Sequence, residues 1–252
     1  MTVFYIFLFF LLGVVLGSFY NVVGFRLPQG EEIVFTRSHC QSCKHELKWY
    51  ELIPIVSFLI QGGKCRYCKH KLSLFYPMIE LCTGLLFAVS FYSFGFSYDL
   101  IIALTLVSVL MIILVSDLNY LIIPDSVLVV ASIIIIVVQF LSGGIKGGFS
   151  AIGSGILLFA VMYFIMFLGN LAFKKESLGG GDVKLMFLSG LVLHPLVGIF
   201  SIFLASVLAL PVSLVLLYTN KDHIMPFGPF IAIAILILFY MKIDMNQILS
   251  LI

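Results

Sequence analysis

Two cysteine pairs and two isolated carboxylates carry the chemical information in this sequence. Cys40 and Cys43 form one CxxC turn, Cys65 and Cys68 form a second, and 21 residues separate the two turns. Two such turns supply the four thiolates of a tetrahedral zinc site. Because four thiolates leave no open position for a substrate, we expect this zinc to be structural. Disulfides, or redox chemistry at a single CxxC pair, are the alternatives, and a reducing compartment disfavours disulfides.

Other metal-binding side chains lie next to these turns. His39, His45 and His70 are adjacent to the cysteine pairs, but four cysteines suffice, so we expect surface histidines. Cys82 lies in an apolar run, where a buried, small apolar role is expected.

The carboxylates Asp117 and Asp182 each fall at the end of an apolar run, and Gly179-Gly180-Gly181 precedes Asp182. Ionisable residues in membrane segments are costly, and they mark functional sites. Two carboxylates at similar depth share a proton. The ionised one then takes a proton from water while its neutral partner polarises a peptide carbonyl. The glycines permit positive φ and the close approach of an extended substrate.

Structural roles are the alternatives for these acids. Asp182 also fits an acid at a helix start, and Asp117 also fits an ion pair with Lys184. Asp125 follows Pro124, so we expect it to be the N-cap of the next helix.

Three polar residues near the first two apolar runs complete the candidate site. Asn21 and Arg26 close the first run, where helix packing by small neighbours such as Gly17 is the alternative reading. Glu80, inside the second run, needs a partner, and Arg26, Lys184 or a substrate group are the candidates.

The composition defines the elements that must position these residues. The chain has 252 residues, 62% hydrophobic and 10% charged, with a mean hydropathy of +1.20. Soluble domains carry about 25% charged residues, so soluble, disordered and disulfide-rich secreted classes are excluded. Between Phe25 and Tyr76 lie 12 of the 26 charged residues and four of the five cysteines.

Hydropathy predicts an all-α, polytopic membrane protein with about eight transmembrane helices and a small zinc-ribbon-like insert between the first two. Apolar runs cover residues 3–24, 77–93, 100–116, 127–141, 152–173, 185–219 and 227–240. The run 185–219 would measure ~52 Å as one helix, against a bilayer core of ~30 Å. His194-Pro195 breaks it, so two short spans are expected. The predicted domains are a first transmembrane helix (1–24), a four-cysteine zinc-binding domain (25–76) and a transmembrane protease domain (77–252).

Charge predicts the orientation. Eight spans with the insert in the cytoplasm place 12 basic residues inside and two outside, as the positive-inside rule requires. The inside set includes the insert together with Lys174, Lys175, Lys184 and Lys221. The N-terminus is then outside, with the first span an uncleaved anchor, and the cysteine domain and active site lie at the cytoplasmic face of the cell membrane. Seven spans satisfy the charge bias almost as well.

The order of these motifs resembles that of the bacterial type IV prepilin peptidases, the prepilin leader peptidase/N-methyltransferases, across nearly the whole chain. The matching motifs are Gly17-Ser18-Phe19 with Asn21, Arg26-Leu27-Pro28, the two CxxC turns with Gly63-Lys64-Cys65-Arg66, Tyr76-Pro77 with Glu80, Asp117 with Ile123-Pro124-Asp125, Gly179-Gly180-Gly181-Asp182 with Lys184-Leu185, and Pro226-Phe227-Gly228-Pro229.

The resemblance implies a GxGD-type intramembrane aspartyl protease with Asp117 and Asp182 as its catalytic pair. The expected supporting residues are Gly179, Gly181, Lys184, Asn21, Arg26 and Glu80, and the expected zinc ligands are the four insert cysteines. The implied substrates are type IV prepilins or pseudopilins of pili, type II secretion or competence, cut after a glycine that ends a short basic leader. Many members then methylate the new N-terminus with S-adenosylmethionine. No nucleic-acid partner is expected.

Other functions remain as alternatives. A peptidase without methyltransferase activity fits the same motifs. A membrane transporter or an assembly scaffold with a zinc ribbon would also place acids in membrane helices. No span shows the internal repeat of many transporters, and both aspartates lie at helix ends, so the peptidase is favoured.

Overall fold

The computed structural model describes residues 1–174, 178–218 and 225–242. Its eight α-helices are α1 (Thr2–Arg26), α2 (Val56–Ile60), α3 (Phe75–Phe94), α4 (Tyr98–Tyr120), α5 (Asp125–Phe173), α6 (Gly180–Val192), α7 (Pro195–Tyr218) and α8 (Gly228–Met241). Single 3-10 turns cover Leu27–Gln29 and Trp49–Glu51. Of the basic residues used to predict orientation, Lys175 and Lys221 lie outside the described residues.

The chain divides into two compact units, Met1–Phe96 and Ser97–Ile252. In the first unit α1 and α3 pack antiparallel, with Phe9 and Phe91 stacked 4.7 Å apart between ring centroids. A Cβ on Gly13 would lie 2.8 Å from the Gly84 Cα, and one on Gly17 would lie 2.8 Å from the Glu80 Cα. The packing role of the small residues of α1 is therefore confirmed, because only glycine allows the backbones this close.

In the second unit, α5 joins two predicted spans. It contains 49 residues, or ~74 Å at the usual helical rise, more than twice the bilayer core. Gly144 interrupts it with φ 62° and ψ −164°. A Cβ on Gly147 would lie 3.3 Å from the Gln139 carbonyl oxygen, so the chain folds back at this point. The spans at 127–141 and 152–173 are thus the two arms of a kinked helix.

The predicted break at His194-Pro195 is confirmed, because α6 ends at Val192 and α7 begins at Pro195. Pro195 has no N–H, which leaves the Leu191 carbonyl without its helical donor. Gln139 of α5 supplies one, since its Nε2 donates to the Leu191 oxygen at 2.9 Å.

The two helices on either side of this break differ in length. The prediction of two short spans is wrong in detail: α7 has 24 residues and is long enough to cross a bilayer, whereas α6 has only 13. Within the described ranges five helices are long and apolar enough to span a membrane, namely α1, α3, α4, α5 and α7, and α8 is a shorter apolar helix. The predicted class, an all-α multi-pass membrane protein with a small cysteine insert, is confirmed.

Candidate active site and metal centre

The structure brings the two predicted carboxylates together within the second unit. Asp117 lies in the last turn of α4, and Asp182 is the third residue of α6. Their exposed fractions are 5% and 8%, and the two carboxylates interact electrostatically. Two buried carboxylates that interact electrostatically can share one proton, which is what aspartyl acid–base chemistry requires.

The start of α8 completes the surroundings of Asp117. The Gly228 backbone N–H faces the Asp117 carboxylate. A Cβ on Gly228 would lie 3.0 Å from Asp117 Oδ2 and 2.7 Å from Ile123 Cδ1, so a larger residue has no room here. The Pro226–Pro229 segment has no role among the residues expected at the site, so this contact is new. The signal was a glycine set between prolines at a helix start.

Asp182 is held by its own helix terminus. Its carboxylate turns back to the backbone of Gly179, and a Cβ on Gly179 would lie 3.2 Å from Asp182 Oδ2. The other oxygen, Oδ1, is buried and has no hydrogen-bond partner among the described residues. A buried acceptor without a partner is uncommon in folded proteins. It is the group here that a water molecule or a substrate donor would satisfy.

The glycines before Asp182 act through close packing. They do not use the positive φ that glycine permits: Gly179 has φ −68°, and Gly180 and Gly181 are helical. A Cβ on Gly181 would lie 2.8 Å from the Ile123 Cβ, whereas one on Gly180 would meet nothing within 4 Å. Ile123 therefore packs against the starts of both α6 and α8, and it is a second site residue that sequence reasoning missed.

Lys184 pairs with Asp125, so the alternative of a Lys184–Asp117 ion pair is wrong. Its Nζ lies 2.7 Å from both carboxylate oxygens of Asp125, and both side chains are substantially exposed. The N-cap prediction for Asp125 is also wrong, because Pro124 occupies that position and no side chain caps the helix. Asp125 lies one position later, where its carboxylate favours the helix start.

Two of the expected supporting residues, Asn21 and Glu80, lie in the first unit. Asn21 Nδ2 donates to the Tyr76 carbonyl at 3.2 Å, and Asn21 Oδ1 is buried without a partner among the described residues. Glu80 Oε2 accepts the Ile55 N–H at 2.7 Å, and Ser18 also bonds to its carboxylate. Glu80 thus links the polar insert to α3. Its partner is a backbone N–H of the insert, whereas Arg26 or Lys184 had been the expected protein partners.

Arg26 is the third supporting residue, and its partners are all backbone. Its buried guanidinium donates to the carbonyl oxygens of Glu32, Ile33, Thr36 and Arg37 at 2.8–3.5 Å. One side chain at the end of α1 therefore fixes the loop that leads to the first cysteine turn.

The four insert cysteines form one cluster. Their Sγ atoms all lie within 4.8 Å of one another, with 3.8 Å between Cys40 and Cys68 and 4.0 Å between Cys43 and Cys65. A disulfide needs about 2.05 Å between the sulfurs, so the thiols are free. Zn–S bonds of about 2.3 Å place tetrahedral sulfurs about 3.8 Å apart. The cluster therefore fits a tetrahedral zinc ion, and the histidines next to the turns are not part of it.

The two cysteine turns repeat one backbone pattern. The Cys40 N–H donates to the His45 carbonyl at 2.9 Å, and the Cys65 N–H donates to the His70 carbonyl at 2.8 Å. Lys44 and Lys69, which follow the second cysteine of each pair, both adopt the left-handed conformation. Backbone N–H groups of Cys68 and Tyr67 hold the pKa of the Cys65 thiol at about 7, below its ordinary 9.0. The Cys43 thiol shifts the other way: the His45 backbone lowers its pKa, but burial and hydrogen bonds with the other three cysteines raise the pKa to about 11.

Cys82 differs from these four. The expectation that it is buried is wrong, because its side chain on α3 is exposed. In a spanning helix an exposed small apolar side chain faces lipid tails as readily as protein.

Fold and site together define a multi-pass membrane protein with a buried carboxylate pair and a cluster of four cysteines that could hold a metal ion. Two family descriptions match the chain: "Bacterial Peptidase A24 N-terminal domain" over residues 11–94, and "Type IV leader peptidase family" over residues 104–214. Among curated proteins, a prepilin leader peptidase/N-methyltransferase of Bacillus subtilis is 37% identical, over 73% of this chain and 72% of its own.

Two further relatives carry the same name. The Myxococcus xanthus protein is 39% identical over 72% of this chain and 54% of its own, and the Pseudomonas aeruginosa protein is 30% identical over 89% and 86%. No solved structure matches the chain. The chain belongs to the type IV leader peptidase family, and it is a membrane-embedded peptidase.

Proposed function

We propose that this protein is an intramembrane aspartyl endopeptidase that removes the short basic leader of type IV prepilins or pseudopilins. Cleavage follows a glycine, at the cytoplasmic face of the cell membrane. The observation that carries the proposal is the buried, interacting pair of Asp117 and Asp182. The family membership and the names of the relatives supply the substrate class.

In this mechanism each carboxylate has one task at a time. The ionised member accepts a proton from water as the water oxygen bonds to the scissile carbonyl carbon, and the protonated member donates to the carbonyl oxygen. Collapse of the tetrahedral species breaks the C–N bond, and the proton taken from water passes to the leaving amine. The Gly228 N–H orients Asp117, and the unpartnered Oδ1 of Asp182 is available to the water.

The positions of the two carboxylates in their helices support a reaction at a membrane surface. Asp117 lies in the last turn of α4, and Asp182 lies in the first turn of α6. Excess basic residues on the same side of these ends favour the cytoplasm, with the N-terminus outside. Prepilin leaders are basic and stay on that side, so cleavage there meets the leader where it emerges from the bilayer.

The second proposed activity is methylation of the new N-terminal amine. It rests on the relatives' name, prepilin leader peptidase/N-methyltransferase. S-adenosylmethionine would supply the methyl group as a sulfonium donor, and the freed amine is the nucleophile. The zinc centre is proposed as structural, since its four sulfurs fill a tetrahedron.

The test is intact-mass analysis of a membrane-inserted prepilin after incubation with wild type, Asp117→Asn and Asp182→Asn. Wild type is expected to yield the mature mass, with one added methyl when S-adenosylmethionine is present. Both variants should leave the prepilin uncut. Cleavage without the methyl would remove the methyltransferase proposal, and cleavage by both variants would return a transporter or an assembly scaffold to consideration.

A further inference from the structure

The insert, residues 25–76, exposes an unusual amount of apolar surface beside α2. Trp49, Leu59 and Ile60 are exposed by 78%, 70% and 81%, and Val56 adds to the same short segment. Singly exposed apolar residues are common, but a cluster of this kind marks an interaction site. We call Trp49, Val56, Leu59 and Ile60 the anchor surface.

The depth of this surface is fixed by a hydrogen bond to a membrane span. α3 has 20 residues, ~30 Å, so it uses its whole length to cross a bilayer core. Glu80 lies five residues after Phe75, where α3 begins, or ~7.5 Å along the helix axis. Its carboxylate holds the Ile55 N–H at 2.7 Å, and Ile55 is the residue from which α2 starts. The start of α2 is therefore held deeper in the membrane than Phe75, the residue at which α3 begins.

The residue that Glu80 holds also has an unusual backbone conformation. Ile55 has φ 60° and ψ −52°, a region that a β-branched residue seldom occupies. A charge-assisted bond to a buried carboxylate is among the stronger hydrogen bonds that a backbone N–H can form. The adjoining 3-10 turn is also fixed, because Glu51 Oε2 accepts the Lys48 N–H at 3.0 Å and leaves Trp49 facing outward.

Charge next to the anchor surface favours one occupant. No acidic residue lies between Glu51 and Glu80, whereas Lys64, Arg66, Lys69 and Lys71 lie in that stretch and are all exposed. None of the four forms an ion pair with another described residue. An apolar face flanked by lysine and arginine is the pattern of interfacial membrane segments, whose apolar side sinks about 5–10 Å into the headgroup boundary.

We propose that the anchor surface lies in the interfacial layer of the bilayer, and that the basic stretch from Lys64 to Lys71 binds anionic lipid headgroups. The four-cysteine insert is then fastened flat on the membrane between its two spans. A second exposed apolar pair, Val34 and Phe35, lies on the loop that Arg26 ties to the end of α1. It is thus held near the same membrane surface.

The chain carries its own reporter, since Trp49 is its only tryptophan. The full-length protein is placed in lipid nanodiscs at one copy per disc without prepilin, so that only lipid can cover the anchor surface. Brominated lipids should quench the Trp49 emission, because an interfacial residue lies about 5–10 Å into the headgroup boundary, and aqueous iodide should quench little. Strong iodide quenching without bromine quenching overturns the proposal.

The alternative occupants give different results in the same experiment. Protection from iodide that appears only when prepilin is added assigns the surface to the substrate helix and overturns the proposal. Protection that appears only with two copies per disc assigns it to a second chain, and overturns the proposal equally. Discs with anionic lipids should protect Trp49 better than zwitterionic discs. Equal protection removes the headgroup part of the proposal.

A matched pair of variants tests the apolar face itself. Leu59→Asp with Ile60→Asp should make Trp49 accessible to iodide, whereas Gln61→Asp, one position further on and half-buried, should leave it protected. Zinc content is measured in both, because an insert that retains its metal is still folded. Protection that survives the double substitution in a zinc-loaded protein overturns the proposal.

Discussion

The metal centre and the carboxylate site hold reactive side chains by opposite means. The four cysteines lie within a stretch of 29 residues, on two turns that repeat the same backbone hydrogen bonds. The carboxylate site draws on Asp117, Asp182 and Gly228, from three helix ends far apart in the chain. The first site is built by local turns and has the geometry for a metal ion, whereas the second depends on how closely helix backbones approach. A missing Cβ therefore matters most at the carboxylates.

The largest effect is expected from the carboxylates themselves. Asp117→Asn and Asp182→Asn should each lower kcat for prepilin cleavage by about 10²–10⁴-fold, the usual worth of positioned acid–base groups. Asp125→Asn is the matched control, because Asp125 lies in an exposed ion pair and should change kcat little. Initial rates of leader release at saturating substrate measure all three. An equal loss of kcat in Asp125→Asn would contradict the assignment of catalysis to Asp117 and Asp182.

Substitutions at the cysteine cluster should affect the folding of the insert, whereas those at the carboxylates affect kcat. Cys40→Ser removes one of four ligands and should abolish zinc binding, which supplies about 10–16 kcal/mol of folding free energy in small zinc domains. Limited proteolysis should then cut within residues 25–76, while Cys82→Ser, a change at an exposed thiol outside the cluster, should keep both zinc and protection. If a chelator stopped cleavage before the insert became protease-sensitive, a purely structural zinc would be wrong.

A single methyl group sharpens the contrast at the start of α6. Gly181→Ala places a Cβ 2.8 Å from the Ile123 Cβ, and overpacking of this kind costs about 1–3 kcal/mol. Gly180→Ala meets nothing within 4 Å and should be neutral. Thermal unfolding and cleavage rates are measured for both. Ile123→Ala should restore part of the loss in Gly181→Ala, and no rescue would mean that Ile123 is not the obstacle.

The smallest effect is expected at the exposed ion pair beside the site. Lys184→Met removes the partner of Asp125, and exposed pairs of this kind are worth about 0–1 kcal/mol. The melting temperature should fall slightly in low salt, and the difference should shrink at high salt because the pair is screened. A large loss of cleavage with unchanged stability would instead give Lys184 a role in substrate binding.

The cysteine cluster, the carboxylate pair and the helix break at Pro195 could be predicted because each rests on a local rule. CxxC spacing fixes two ligands at once, intramembrane acids are rare, and proline lacks a donor. The roles of Gly228 and Ile123 could not be predicted in the same way. Their importance comes from distances between helix ends, which the spacing of residues along the chain does not contain.

The partners of charged groups were also hard to predict. Lys184 forms its ion pair with Asp125 and not with Asp117. Glu80 accepts a hydrogen bond from a backbone N–H of the insert and does not pair with a cation. Depth in the membrane limits the candidates, but the rotation of each helix about its axis decides among them. The length of α7 was missed for a related reason, because hydropathy marks apolar residues and does not show where a helix begins or ends.

The short length of α6 has a consequence for how the protein is made. With 13 residues, or ~20 Å, it is too short to partition into a bilayer as an independent segment. The Leu191 carbonyl, one residue before its end, also needs the Gln139 side chain of α5 as a donor. We therefore expect α6 to be integrated only after α5 is in place and α7 has left the ribosome, which glycosylation mapping of chains truncated after residues 192 and 218 would detect. Asp182 would then reach Asp117 late in biogenesis. A chain that is still being inserted would therefore lack the assembled pair of carboxylates that we propose for peptide cleavage.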